Sequence, residues 1–292
     1  MKSFLPKELS TPQLHGILLG SIGPRPIAFA STINQDGRPN LSPYSFFNVF
    51  SANPPIMIFS PARRVRNNTT KHTLENAEAT KEVVINVVNY AIVQQMSLSS
   101  TEYPEGTNEF EKAGLTMLKS DLVKPFRVKE SPVQYECKVK EVVHLGKKGG
   151  AGNLVIAEVV KVHVSEDLID EHLKINQHKI DLVARMGGNW YSRANQGMFE
   201  VPKPLSSLGI GVDQMPVEVK TSEILTGNDL GRLGNVAQLP SKEEIKLFVE
   251  EHNMLAYIEE NDSKKLHIIA QEYLAKNQVD EAWKILLSKT YM

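Results

Sequence analysis

Apolar and polar positions follow two different periods along this chain. After Thr11-Pro12-Gln13, Leu14, Ile17 and Leu18 recur at helical spacing, and Gly20-Ser21-Ile22-Gly23-Pro24 ends the run. A hydroxyl followed by proline suits a helix start, because the donor that proline lacks has no helical partner there. From Pro26 the pattern becomes that of strands: Ile27 to Ile33, Pro39 to Phe50, and Ile56 to Ser60 introduced by Pro54-Pro55. Asp36-Gly37 between the first two is a hairpin signal, since glycine accepts the positive φ of such turns. These strands are apolar on both faces, as a barrel or a subunit interface requires. A short helix is expected at about 74–80, a strand at 82–88, weak helical spacing over 90–100 and a long loop over 101–114. Two long strands, Val133 to Leu145 and Leu154 to Val164, flank the glycine-containing join 146–153. That join leads into a strand instead of opening a helix, so it reads as a hairpin turn and not a dinucleotide fingerprint.

The style changes after about Pro204. Gly209-Ile210-Gly211 and Gly227-Asn228-Asp229 mark turns, Ser241-Lys242-Glu243-Glu244 is a capping box, and helices are expected at about 242–251, 264–275 and 279–289. The fold expected is mainly β with peripheral helices over residues 1–204, followed by a mostly helical C-terminal extension over 205–292.

Composition and charge remove several classes. Apolar residues make up 41% and charged residues 23%, as in folded globular chains, and 33 basic against 34 acidic side chains argue against a nucleic-acid coat. Cys137 is the only cysteine, which excludes an intramolecular disulfide framework and a multi-cysteine zinc site and points to a cytoplasmic location. Met1 to Glu8 has no secretory h-region, and no run approaches the roughly 20 apolar residues of a membrane helix. Nucleophile and zinc-hydrolase motifs are absent, Cys137 sits in the alternation Val133, Tyr135, Cys137, Val139 as a buried thiol would, and the eight histidines are scattered. No metal site is expected and no catalytic residue is assigned.

The window Arg63 to Thr73 holds Arg63, Arg64, Arg66 and Lys71 with His72 and the hydroxyls of Thr69, Thr70 and Thr73, directly before a helix. Phosphate is bound by such donors, although a solvated loop with clustered charges reads equally well from this window alone. No aromatic residue interleaves the cations, which disfavours a nucleic-acid stacking platform. A second cluster, Ser31-Thr32 and Ser42 to Ser51, sets hydroxyls and an amide inside apolar strands. Buried polar groups cost roughly 1–3 kcal/mol each unless paired, so this cluster favours a polar ligand or a network.

The runs Pro26 to Ile33, Asp36-Gly37, Asn40 to Asn48, Pro54-Pro55, Lys71-His72-Thr73, Asn76 and Val84-Ile85-Asn86, with Ala184 to Tyr191 as a closing motif, resemble the flavin reductase-like family of FMN-binding split barrels, which includes the flavoredoxins. The resemblance spans about residues 20–200. It implies an FMN-binding oxidoreductase, with NADH or NADPH as possible donor, and a homodimer with flavin at or near the subunit interface. A small-molecule or protein redox partner is implied, with no nucleic acid and no membrane. Carried over by position, Ser31 and Thr32 line the isoalloxazine ring. Ser45, Phe46, Phe47, Asn48 and Ser51 hold the ribityl and phosphate portion, Arg63 or Arg64 with Lys71 and Thr73 meets the phosphate, and Trp190 or Tyr191 packs near the flavin. In one place the chain departs from the family. Where many small flavin reductases carry Gly-Asp-His, this chain reads Gly150-Ala151-Gly152-Asn153, which favours a flavoredoxin-like electron carrier. A pyridoxamine-phosphate-oxidase-like split barrel is a further alternative, without its characteristic motifs in view.

Overall fold

The hydroxyl that starts the first helix is one residue earlier than the sequence pattern places it. In α1 (Thr11–Ser21) the cap is Ser10, whose Oγ accepts from Gln13 N at 3.4 Å while Gln13 Oε1 accepts from Ser10 N at 2.9 Å. The computed structural model describes residues 1–201, 208–253, 255, 258 and 263–291, and the expected boundary at Pro204/Leu205 lies outside them. Two compact units, Met1–Phe199 and Glu200–Met292, divide the chain.

In the first unit β1 (Ala28–Ile33) and β2 (Pro39–Tyr44) form the expected hairpin, with Gly37 at φ +82° and Arg38 N donating to Asn34 Oδ1 at 2.9 Å. The single strand expected over Pro39 to Phe50 is broken at Ser45-Phe46, and β3 (Phe47–Ala52) pairs with β4 (Pro55–Phe59) instead. After α2 (His72–Thr80) and β5 (Glu82–Asn86) come α3 (Val93–Leu98), α4 (Glu109–Ala113), the short pair β6 (Met117–Leu118) and β7 (Arg127–Val128), then β8 (Val133–His144) and β9 (Asn153–Val164). The closing hairpin is β10 (Val183–Arg185) and β11 (Tyr191–Arg193). The segment expected as a bare loop over 101–114 contains α4. Its five residues are too few to show a period; Asn108 caps it by accepting from Phe110 N at 3.1 Å, and buried Phe110 and Ala113 anchor it.

The main sheet is antiparallel, in the order β2-β1-β5-β8-β9-β4-β3. Its two edge strands, β2 and β3, are consecutive in the chain and joined only by Ser45 and Phe46, so the sheet must curl until its edges meet. Phe46 O accepts from Ser60 N at 2.9 Å, fixing this seam to the end of β4. Along β2 the amide positions of Pro39, Leu41 and Pro43 face the free side by alternation. The prolines have no N–H, and Leu41 N donates to the Glu109 carboxylate at 3.1 Å, so the edge offers no unpaired donor.

Both faces of β1 are buried. Ala28 and Ala30 face an inner core with Phe59, Ile85, Val155 and Leu74 of α2, whereas Phe29 and Leu41 face a second layer with Met96, Phe110 and Val128. The smallness of Ala28 and Ala30 leaves room for α2 to enter on that side.

The second unit has a core of its own. Leu233, Ile245, Leu274 and Ile285 surround Trp283, whose Nε1 donates to Leu233 O at 3.0 Å. The helices expected there are present as α7 (Lys242–Glu251), α8 (Ser263–Ala275) and α9 (Val279–Tyr291), preceded by α5 (Val217–Lys220) and α6 (Gly227–Leu233). Gly227-Asn228-Asp229, read as a turn, is the first turn of α6: Thr226 and Asp229 form a capping box, Thr226 N donating to Asp229 Oδ2 at 2.8 Å. Among the described residues no helix is long and apolar enough to cross a membrane.

Candidate functional site

A cleft follows the β2 edge as two recesses that adjoin at Ser100. One is lined by Pro43, Ser45, Ser97, Arg185, Asn189 and Tyr191, beside Met96. The other is lined by Ser42, Tyr44, Arg64, Lys71, Thr73 and the segment Ser99 to Tyr103.

The glycines of the β8–β9 turn hold the basic loop in place. Gly150 N donates to Arg63 O at 2.9 Å and Arg63 N to Ala151 O at 2.8 Å. A Cβ on Gly149 would stand 3.0 Å from Arg64 O, Val65 Cα and Val65 O, so only glycine allows this approach. The loop then closes on itself: Arg63 Nε donates to Asn68 Oδ1 at 2.8 Å, and Arg64 Nη1 donates to Thr69 Oγ1 at 2.9 Å and to Thr70 O. Arg64 Nε reaches Glu102 at 3.1 Å, with Lys71 Nζ 3.7 Å from the same carboxylate oxygen. Lys71 is also the N-cap of α2, and no side chain caps that helix. Burial and the neighbouring Arg64 lower the Lys71 pKa, against an opposing pull from Glu102. Cations, hydroxyls and a helix start without a side-chain cap make this a candidate cradle for an anion.

Beneath the cradle lies a buried polar network. Asn40 Nδ2 donates to Thr73 Oγ1 at 2.8 Å and to Thr32 Oγ1 at 3.2 Å, and Asn76 Nδ2 donates to the same Thr32 oxygen at 3.1 Å. Thr32 is therefore wholly buried as the acceptor that ties β1 to β2 and α2. Ser31, also wholly buried, lies on the opposite face with Phe29, and its Oγ has no hydrogen-bond partner among the described residues. Strand alternation puts the Ser31 and Thr32 side chains on opposite faces of β1. The Tyr44 hydroxyl is likewise buried without a bonded partner, and burial pushes its pKa up, eased by the nearby Thr73 and Ser42 hydroxyls. A polar atom left unsatisfied at the wall of the second recess is what a ligand oxygen could complete.

Of the residues expected to bind flavin, Arg64, Lys71 and Thr73 converge in the second recess and Ser45 lines the first. Arg63 is spent on Asn68. Phe46, Phe47, Asn48 and Ser51 line neither recess; Phe47 packs against the inner core, while Phe46 and Asn48 are exposed. Tyr191 lines the first recess under the Arg185 guanidinium, 4.6 Å from its ring, whereas Trp190 is exposed. Asn153 is buried, donating to Pro61 O at 2.8 Å and bonded to His144 Nδ1 at 2.7 Å. It presents no titratable group. Cys137 is buried and its thiol pKa is pushed far up by that burial.

Asp121, Glu136 and His163 bring ligand-type atoms within 4.8 Å of one another. The wholly buried Glu136 carboxylate already accepts from the amides of Asp121 at 2.9 Å, Leu122 at 2.6 Å and Val123 at 3.2 Å and bonds His163 Nε2 at 2.7 Å. Burial would raise its pKa, but these amides and His163 outweigh burial and hold it below the ordinary carboxylate value. These donors occupy the oxygens that a cation would need.

Several residues of the cleft carried little signal in the sequence. Ser97, Ser99, Ser100 and Thr101 form a hydroxyl run at the end of α3, visible in the sequence only as polar composition. Arg25 is buried and donates to Leu19 O at 2.7 Å, Met186 O at 2.8 Å and Ser45 Oγ at 3.4 Å, stapling the end of α1 and the closing hairpin to the barrel seam. Nothing in its sequence neighbourhood marks it.

The flavin reductase like domain model matches residues 20–181, more than half of the chain and wholly within the first unit. An uncharacterised protein of Aquifex aeolicus is 38% identical over 191 residues, 65% of this chain and 95% of that protein. Among solved structures, nitrilotriacetate monooxygenase component B from Bacillus cereus matches with TM-score 0.65 and 30% identity, covering 69% of this chain and 98% of its own. A protein with a split barrel domain from Shewanella frigidimarina matches with TM-score 0.59 and 28% identity over 70% of this chain and 100% of its own. With a curled antiparallel sheet, a cleft at its seam and this match, the chain belongs to the flavin reductase-like family, as a split barrel followed by a helical unit.

Proposed function

We propose that this chain is an FMN-dependent oxidoreductase of the flavin reductase type, acting in the cytoplasm with NADH or NADPH as donor. The observation that carries this reading is the convergence of Arg64, Lys71, the uncapped start of α2 and the hydroxyls of Ser42, Thr73 and Ser100 in one recess. Arg64 and Lys71 offer charge-assisted donors to a phosphate, and the Tyr44 hydroxyl gains the partner it lacks. The adjoining recess, with Pro43, Ser45, Arg185 and Tyr191, holds the ring portion. A bound flavin supplies the electron-transfer chemistry, and the protein supplies binding, orientation and electrostatics.

A homodimer is part of this reading. Phe46, Val49 and Phe50 are 41%, 56% and 64% exposed at the β3 edge, and α1 buries none of its residues while exposing Ile17 and Leu18. A second copy covering these apolar positions would bring Asn48 and Ser51, which line neither recess of their own chain, within reach of the partner's cleft. The relative named as a monooxygenase component supports a redox partner for this chain as well.

A second reading is favoured by Asn153: with a buried amide where a titratable histidine is expected, the chain acts as a flavoredoxin-like carrier without its own nicotinamide turnover. Anaerobic titration of the FMN-loaded protein with NADH and NADPH, followed by the visible flavin band, separates the two. Bleaching by either nucleotide is expected for the reductase. Bleaching by neither moves the function to the carrier, and failure to take up FMN contradicts both.

A further inference from the structure

Three cations at or beside the second recess converge on one carboxylate. Glu102 Oε1 lies 3.1 Å from Arg64 Nε and 3.7 Å from Lys71 Nζ, and Oε2 lies 3.0 Å from Arg66 Nη2. Two of these cations are well covered, the side chains of Arg64 and Lys71 being 17% and 29% exposed. Held together without an anion they would repel one another, and the lowered Lys71 pKa reflects burial first and Arg64 second. Some negative group is therefore required at this point whether or not a ligand is present.

Glu102 is well placed to be a removable one. It lies in the segment between α3 and α4, where Thr101, Glu102, Pro104, Glu105 and Gly106 are exposed, and its own side chain is 45% exposed. Its neighbours are held by short local bonds, Thr101 N to Leu98 O at 3.2 Å and Tyr103 N to Thr101 O at 2.9 Å, so moving the carboxylate disturbs ion pairs and not the core. We propose that Glu102 is an internal competitor for the phosphate subsite: its carboxylate occupies the Arg64, Arg66 and Lys71 cradle in the free protein, is exchanged for the ligand's phosphate on binding, and by returning promotes release. A phosphate monoester wins the exchange because it brings nearly two charges and three acceptor oxygens in place of one charge and two. Its affinity is nonetheless reduced by the ion pairs that must be surrendered, which makes the flavin an exchangeable ligand and not a permanent one.

This rests on the reading of the cleft as a flavin site, and the test separates the two. Full-length wild type and Glu102→Gln are titrated with inorganic phosphate, FMN and riboflavin. For the variant we expect phosphate and FMN to bind about tenfold more tightly, FMN through slower release, with riboflavin changed by less than about twofold. Phosphate bound equally or more weakly by the variant, or by neither protein, overturns the exchange, since Glu102 would then only order the cations. A wild type that binds phosphate but no flavin contradicts the flavin reading alone, and the phosphate arm still decides the role of Glu102.

Discussion

Thr32 shows how hydrogen bonding decides what a buried hydroxyl does. The sequence marks it as a hydroxyl inside an apolar strand, which is correct, but burial and hydrogen bonding decide what the hydroxyl does. Its Oγ1 accepts from two asparagine amides, Asn40 and Asn76. Thr32→Val leaves both amides without that acceptor in a buried place, and a loss of about 1–3 kcal/mol of unfolding free energy in urea titration is expected, with the slope unchanged. Unchanged stability with weakened FMN binding would return Thr32 to the ring-lining role. Glu136 makes a pH prediction. Its pKa is lowered on folding, so its contribution is full above the unfolded carboxylate range near ~4.3 and is lost as pH falls through the lower folded value. Glu136→Gln is expected to cost about 1–3 kcal/mol at neutral pH, and the gap to wild type should close in acid when unfolding is followed across pH. A gap that widens in acid would contradict the assignment. Neither the amides on Glu136 nor the buried Arg25 staple could be read from the chain, because their partners are backbone groups brought together by the fold.

At the scale of elements, the β8–β9 turn and the basic loop act as one piece. The sequence shows a glycine-containing turn and, some eighty positions earlier, a cluster of cations; their contact is invisible until the sheet curls. Gly149→Ala would place a methyl group 3.0 Å from the Arg64 and Val65 backbone, so the loop must shift. FMN affinity is expected to fall roughly tenfold, about 1.4 kcal/mol, in fluorescence titration, with riboflavin affected less. Equal losses for both ligands would mean that the turn supports the ring recess and not the phosphate cradle. Helices with a repeating period were legible, as with α7 behind its Ser241 box, whereas α4 and α6 were not, being too short for a period to repeat, α6 despite its Thr226 cap. The strand break at Ser45-Phe46 leaves no mark in the sequence for a different reason. Apolar character continues across it, and only pairing to opposite sheet edges separates β2 from β3.

For the whole molecule, the family match and the cleft fall within the first unit, while the second has a separate core around Trp283. The near-neutral total of 33 basic and 34 acidic side chains conceals a local basic cluster, which the fold sets beside the hydroxyls of β2 and α3. Most of the barrel was legible because buried strands leave long apolar runs, and the candidate phosphate cradle was half legible because its cations are adjacent in sequence. Glu102 and the serines that complete it come from another segment and carry no local signal. If this cleft holds a flavin by its phosphate, removing the phosphate should remove most of the affinity. Equilibrium titration of the wild-type protein with FMN and with riboflavin measures this directly: FMN is expected to bind on the order of 100-fold more tightly, the worth of one to two charge-assisted hydrogen bonds, and equal affinity for the two would contradict it.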